Sequence, residues 1–227
     1  MKTLLIVGAG GLGSEVVDMV RGSMPECYAD IGFVDDAVPA NRLVHGVRVI
    51  GDRSVLRDVR PGSVDFCIAV GDPRARRALT EVAEGYGQHV ISVIDETALL
   101  RPSATVGEGV IIGARAVVSS NASIGAHTAI NIGAVIGHAV SIGPYAVIGA
   151  GALVSGGARV GEGALIGAGA SILLGKTVGS WATVAMGAAV FTEVSAGTTV
   201  LGNPARVFMP ARRDRGNPRA PDNLVER

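Results

Sequence analysis

His138 is the side chain in this sequence best suited to take up a proton. It stands at the third position of a six-residue unit that begins at Ile136, and the residues eighteen positions to either side, Ser120 and Gly156, are both small. An imidazole on a turn, with small neighbours and an apolar surface beside it, is a candidate general base, since its pKa lies close to neutral pH. His127, at the fourth position of the unit beginning at Ile124, lacks that setting and reads as a solvated turn residue. Spacing alone decides neither. A zinc site of the hydratase type needs three protein ligands, whereas the repeat holds two histidines, 11 apart, and no cysteine, so no metal is expected. There is no Ser-His-Asp order, and no Asp occurs between 100 and 195. Covalent catalysis is therefore not expected, and direct attack on an activated acyl donor suits a single base better.

The second stretch with chemical content is Gly8-Ala9-Gly10-Gly11-Leu12-Gly13, which follows the apolar run Thr3-Leu4-Leu5-Ile6-Val7. Glycines allow a diphosphate to approach the backbone, and a following helix offers its first N–H groups. Asp35, 22 residues past Gly13, stands where an acid can meet a ribose hydroxyl. Dinucleotide sites use two mononucleotide halves, and roughly 95 residues before the repeat supply one. A diphosphate-linked small molecule, NAD and a purely structural turn all remain open for this loop.

The elements that must hold these groups are legible from periodicity. From Leu100 to Val190 an aliphatic residue recurs every six positions through 16 hexads, and 15 of the 16 are β-branched. The next position is usually Gly and the fifth usually Ala. This rhythm predicts a parallel β-helix of hexapeptide repeats, three hexads to a triangular coil. An all-L chain with parallel crossovers normally winds right-handed; the hexapeptide class is left-handed, so the handedness is taken from the class. Sixth positions point outward. One face reads Thr105, Ser123, Ser141, Arg159, Thr177, Ser195; the others read Ile111, Ala129, Val147, Leu165, Thr183 and Val117, Val135, Leu153, Ser171, Ala189. Two mostly apolar faces suit a homotrimer, in which each subunit meets two neighbours; scattered aliphatics on a monomer are the alternative. Ahead of the repeat, strands at Thr3–Val7, Ile31–Val34, Val64–Val70 and Val90–Ile94 alternate with helical patterns, as in a parallel α/β sheet. The expected organisation is an α/β half-Rossmann domain over 1–95, the left-handed β-helix over 96–209, and a disordered tail over 210–227.

Composition bounds the rest. The formal net charge is +0, which gives no sign of nucleic acid or an anionic membrane as partner. No apolar run approaches the length of a membrane span, no signal peptide is visible, and Cys27 and Cys67 form no pairing or metal-ligand pattern. A cytoplasmic protein is expected.

In order along the chain, LLIVGAGGLGSEVV, GFVDD, IAVGDPRARR, NIGAVIGHAVSIG and VLGNPARV cover about residues 3 to 208. Together they resemble the bacterial hexapeptide acyltransferases typified by sialic-acid O-acetyltransferases and the N-acetyltransferase of UDP-4-amino sugars. The resemblance implies a nucleotide sugar on the N-terminal domain, acetyl-CoA as co-substrate in the cleft between solenoids of a trimer, and His138 as base. It implies sugar-nucleotide contacts at Gly10, Gly11, Leu12, Asp35, Asp36, Gly71 and Arg74, and acyl-donor contacts at Val147, Ala168 and Met186. The column Ala150, Ala168, Met186, at intervals of 18, could follow a pantetheine arm or be ordinary turn residues. Asn131 is a candidate to hydrogen-bond the acyl group or the imidazole. Three departures stand out: Leu12 where the family usually has His, Ala139 where an acid commonly follows the catalytic His, and Val147 where some members have a second His. The expected activity is N-acetylation of a nucleotide-linked amino sugar. Sugar O-acetylation and a non-catalytic nucleotide-binding trimer are the alternatives, with an NAD-dependent enzyme behind them.

Overall fold

The structure is a computed structural model and describes residues 2–208. The expectation for the tail at 210–227 lies outside the described residues. The N-terminal domain comprises β1 (Lys2–Val7), α1 (Gly11–Ser23), β2 (Tyr28–Val34), β3 (Leu43–Val44), β4 (Val47–Gly51), α2 (Val55–Asp58), β5 (Val64–Ile68), α3 (Pro73–Gly85) and β6 (His89–Val90). Its sheet runs β3-β4-β2-β1-β5-β6, with every pair parallel except β3 and β4. The β3–β4 hairpin turns on His45 and Gly46, both at positive φ; β3, at two residues, is too short to carry an alternating pattern, whereas Val47 and Val49 of β4 are buried and Arg48 and Ile50 exposed. Asp72 caps α3 by accepting from the Ala75 N–H at 2.8 Å, and Pro73 opens the helix, where its missing N–H costs nothing.

The expected strand at Val90–Ile94 divides between the two architectures. His89–Val90 completes the first sheet beside β5, whereas Val93–Ile94 pairs with Ile111–Ile112 and is the first rung of the solenoid. The β-helix thus begins ahead of residue 96, because Ile94 continues the hexad series one step backwards.

From there the chain winds as a left-handed parallel β-helix. Two-residue strands stack into three faces, residues up to Val190 pairing at a spacing of 18, as in Val117 with Val135 and Ser123 with Ser141, while the last coil is two residues shorter and pairs Thr183 with Thr199. Key aliphatics and fifth-position alanines fill the core, from Ile112 and Ala116 to Val190. A short antiparallel pairing of Thr199–Leu201 with Arg206–Val207 closes the far end.

The face of Ile111, Ala129 and Val147 is not free for a neighbouring subunit. These residues are 1%, 0% and 3% exposed, packed in one cluster with Val16, Val17, Met19 and Val20 of α1. The expectation of two open apolar faces is therefore corrected: the chain's own N-terminal domain covers one. The face of Val135 and Leu153 stays open, at 37% and 42% exposure, and the Ser123–Ser141 face is polar as expected.

A polar latch holds the two domains together along the corner between the docked and polar faces. Arg76 of α3 is fully buried and donates from Nε to the His127 carbonyl at 2.6 Å, from Nη1 to Ile68 at 2.5 Å and from Nη2 to Gly109 at 3.4 Å. Among the described residues no carboxylate neutralises it, and burial pulls its pKa down to about 10, which leaves it charged at neutral pH. His127 is 4% exposed, stacks on Tyr145 with ring centroids 5.3 Å apart, and places Nε2 3.1 Å from Glu84. The expectation of a solvated His127 is thus overturned, because α3 covers that corner. Outside this pair, Arg77 reaches Glu162 at 3.0 Å and Arg74 lies 4.8 Å above the Trp181 ring.

Substitution at either end of the latch has a measurable consequence. Arg76→Ala strands three buried carbonyls and opens a void, and should lower unfolding free energy by about 3 kcal/mol; Arg76→Lys, lacking the planar fork, should recover less than half of it. Urea denaturation measures both. Burial, with Arg76 adding and Glu84 opposing, holds His127 below its ordinary pKa. The unfolded chain then binds this proton first, so stability is full above about pH 6.5 and declines as pH falls through that value. In urea midpoints taken from neutral to mildly acidic pH, the decline should be shallower in His127→Gln than in the unsubstituted protein.

Candidate active site

The carboxyl ends of β1, β2 and β5 meet where the strand order reverses, the place at which open α/β sheets bind ligands. Val7, Gly8, Val34, Asp36 and Arg53 line a cavity of about 170 Å³ there, and a crevice of about 470 Å³ shares Asp35, Asp36 and Ala37 with it. Close packing dictates the glycines. Gly8 has φ of +106°, and a side chain on Gly13 would collide with the Gly8 carbonyl where α1 crosses β1. Gly10 and Gly11 are exposed at the start of α1, and no side chain caps that end.

Asp35 braces the loop rather than standing free. Its Oδ2 accepts from the Ala9 N–H at 2.8 Å, and its Oδ1 from the N–H groups of Ala37 and Val38 at 2.8 and 3.1 Å. The spacing that suggested a ribose contact equally suits this brace, and three of its lone-pair positions are already taken. Asp36 is paired with Arg53, accepting from its backbone N–H at 2.9 Å and from Nε at 2.6 Å, and that guanidinium holds its carboxyl below the usual carboxylate range. Arg53 was not singled out in the sequence; nothing about a lone Arg in a polar loop marks it. Gly71 is exposed beyond β5, and Leu12 is half-buried against the α1 side of the core. Arg74 does not join this group, since its guanidinium is turned onto Trp181.

On the solenoid, the Ser120, His138, Gly156 column forms the corner between the open and polar faces. The ladder runs through it, Ala139 N–H to Ser120 carbonyl at 2.9 Å and Gly157 N–H to His138 carbonyl at 2.8 Å. His138 is exposed, and its ring leans over Gly156. Ile132, Ala150, Ala168 and Met186 form the corner at the other edge of the open face, where Met186 is 78% exposed. Asn131 sits in that same turn, so within one chain the open face separates it from His138. Val147 is corrected: at 3% exposure beneath α1 it offers no surface to an acyl donor. The structure therefore collects Gly10, Gly11, Asp35, Asp36 and Gly71 at the sheet ends and flanks one apolar face with His138 on one side and Ala168 and Met186 on the other. A sheet-end crevice suits a diphosphate ester; an exposed imidazole beside an apolar face suits proton removal from a bound acceptor.

No helix among the described residues is long and apolar enough to cross a membrane, and among them no cluster of His, Cys, Asp and Glu is placed to hold a metal ion.

A family model described as the PglD N-terminal domain matches residues 3–83. No curated protein sequence matches the chain. Among solved structures, the acetyltransferase domain of PglB from Neisseria gonorrhoeae, in complex with acetyl coenzyme A, is 34% identical, with a TM-score of 0.85, 91% of this chain covered and 99% of that one. A histidine-to-asparagine variant of perosamine N-acetyltransferase from Caulobacter crescentus, in complex with CoA and GDP-perosamine, is 29% identical, with a TM-score of 0.86 and coverage of 92% and 98%. WeeI from Acinetobacter baumannii is 26% identical, with a TM-score of 0.79 and coverage of 92% and 100%. The likeness spans both domains and the junction between them, and on that ground the chain belongs to the bacterial hexapeptide-repeat sugar acetyltransferases.

Proposed function

We infer that the protein transfers the acetyl group of acetyl-CoA to the amine of a nucleotide-linked amino sugar, with His138 as general base. The observation that carries this reading is the exposed imidazole of His138 at the edge of the open apolar face, in a chain 34% identical to an acetyltransferase solved with acetyl coenzyme A. The amine lone pair forms the C–N bond to the thioester carbonyl, and His138 takes the amine proton. The C–S bond breaks, the CoA sulfur leaves with its electron pair, and a proton returns to it from the imidazolium. A backbone N–H of a solenoid turn steadies the carbonyl oxygen as charge grows there.

The nucleotide diphosphate is assigned to Gly10 and Gly11, whose N–H groups and helix dipole face an incoming anion. Asp36, held in place by Arg53, borders the crevice, and Gly71 is assigned to the same end of the sheet, just beyond β5. Asp35 acts through the loop it braces. Ala168 and Met186 are assigned to the acyl donor, with Asn131 as a polar group on their corner. A homotrimer is the assembly this geometry supports: an apolar face bearing Leu99, Val135 and Leu153 meets a different surface of the next subunit, and a heterologous contact of that kind closes as a ring. The reaction is placed in the cytoplasm, consistent with the free Cys27 and Cys67.

Replacing His138 with Ala should lower kcat by roughly 10²- to 10⁴-fold while gel filtration shows the same assembly; an unchanged kcat would remove His138 from the reaction. Gly10→Asp meets open space and puts a carboxylate on the N-terminus of α1. It should stabilise that helix yet raise KM for the nucleotide sugar at least about tenfold, leaving KM for acetyl-CoA within about twofold. Steady-state kinetics with each substrate varied separates the two effects.

A further inference from the structure

We propose that Gly156 is a positioning residue for the reaction: its missing side chain forms the seat that aims the His138 imidazole. The proposal rests on His138 being the base. A Cβ placed on Gly156 would lie closer than 3.0 Å to Nε2, Cε1 and Cδ2 of His138. The distal half of the ring, Nε2 included, thus occupies the space that any other residue at 156 would fill. Ring and side chain cannot both be there.

The backbone does not ask for this glycine. Gly157, the next residue, carries the left-handed φ of +67° at that turn, and Gly156 is absent from the residues at positive φ. Nor does the repeat ask for it. The third positions of the 16 hexads hold Pro, Glu, Ala, Ser, Ile, His, Leu, Met and Thr, and Gly156 is the one glycine among them. On the same corner the positions one coil below His138 and one coil above Gly156 are Ser120 and Leu174. The glycine appears where the imidazole needs room and nowhere else in that series.

Its chemical consequence follows from Ala139. Ala139, not a carboxylate, directly follows His138, and among the described residues no hydrogen bond fixes its ring. Van der Waals contact with the coil above is what remains to choose the rotamer. A ring lying over Gly156 carries Nε2 one coil towards the C-terminus, the direction in which the Ala150, Ala168, Met186 column climbs. A side chain at 156 forces χ1 or χ2 elsewhere, and a base misplaced by an ångström or so loses turnover without losing substrate affinity.

The test is kinetic, on the full chain, with acetyl-CoA and the nucleotide amino sugar on which the unsubstituted protein turns over fastest. Gly156→Ala should lower kcat by about 10- to 100-fold while both KM values stay within about twofold, with thermal unfolding and oligomeric state unchanged. In a His138→Ala background the same substitution should cost nothing further, because the group it misplaces is gone. A kcat for Gly156→Ala within twofold of the unsubstituted protein, beside an impaired His138→Ala, would overturn the seat and leave the base standing. So would equal losses in both backgrounds, or a loss confined to KM. Full turnover in His138→Ala would overturn both assignments together.

Discussion

Backbone hydrogen bonds between coils hold the solenoid residues up to Val190 over those 18 positions away, and this register governs much of the rest. Because Val135 pairs with Leu153 and Ile136 with Val154, every turn is also stacked on a turn. Side chains at corners therefore do not choose their neighbours freely. A large ring needs a small residue or a second ring in the adjoining coil: Tyr145 stacks on His127, and glycines make room for the others, Gly109 beside His127, Gly163 beside Trp181, Gly156 beside His138. The rings of His127 and Trp181 lean towards the N-terminal coil and are gathered under α3; that of His138 leans the other way and stays exposed. One packing rule yields a latch at one corner and a candidate base at another.

The latch decides how the two domains share surface. Arg76 could be buried only because carbonyl oxygens from β5 and from two turns of the solenoid converge on its planar fork. Deep burial of a charge without a carboxylate is costly unless such donors are all satisfied, so the arrangement fixes the junction as well as stabilising it. With α1 lying on Ile111, Ala129 and Val147, the N-terminal crevice is held in a set relation to the corner bearing His138. In the proposed reaction, acceptor binding and proton removal are divided between domains without either having to move as a separate body.

Much of this was legible in the chain. The hexad period gave the solenoid, its three faces and the isolation of His138 among small neighbours, and strand–glycine–helix patterning gave the sheet and its phosphate-type loop. What escaped was long-range. Val147 and Leu153 are both outward aliphatics at the sixth position; nothing in their spacing says that one lies beneath α1 and the other faces solvent. His127 and His138 are both turn histidines with a small residue one coil away. Arg76 sits in a run of arginines, Arg74, Arg76 and Arg77, of which it alone is fully buried. Asp35 kept its place in the loop but changed its work, since both its oxygens bind backbone N–H groups of their own surroundings.

The sequence by itself determined the elements and the repeat, because a β-branched residue every sixth position and a glycine after it are local requirements of the coil. It also determined which side chains face outward, since strand alternation is local as well. Only the tertiary structure decided which outward side chains remain outside. That depends on where a separate sheet and its helices dock, and docking is set by shape and by convergent carbonyls drawn from segments more than 50 residues apart, as Arg76 and His127 are. The aim of the His138 ring belongs to the same class, a contact across a coil that neither residue specifies alone.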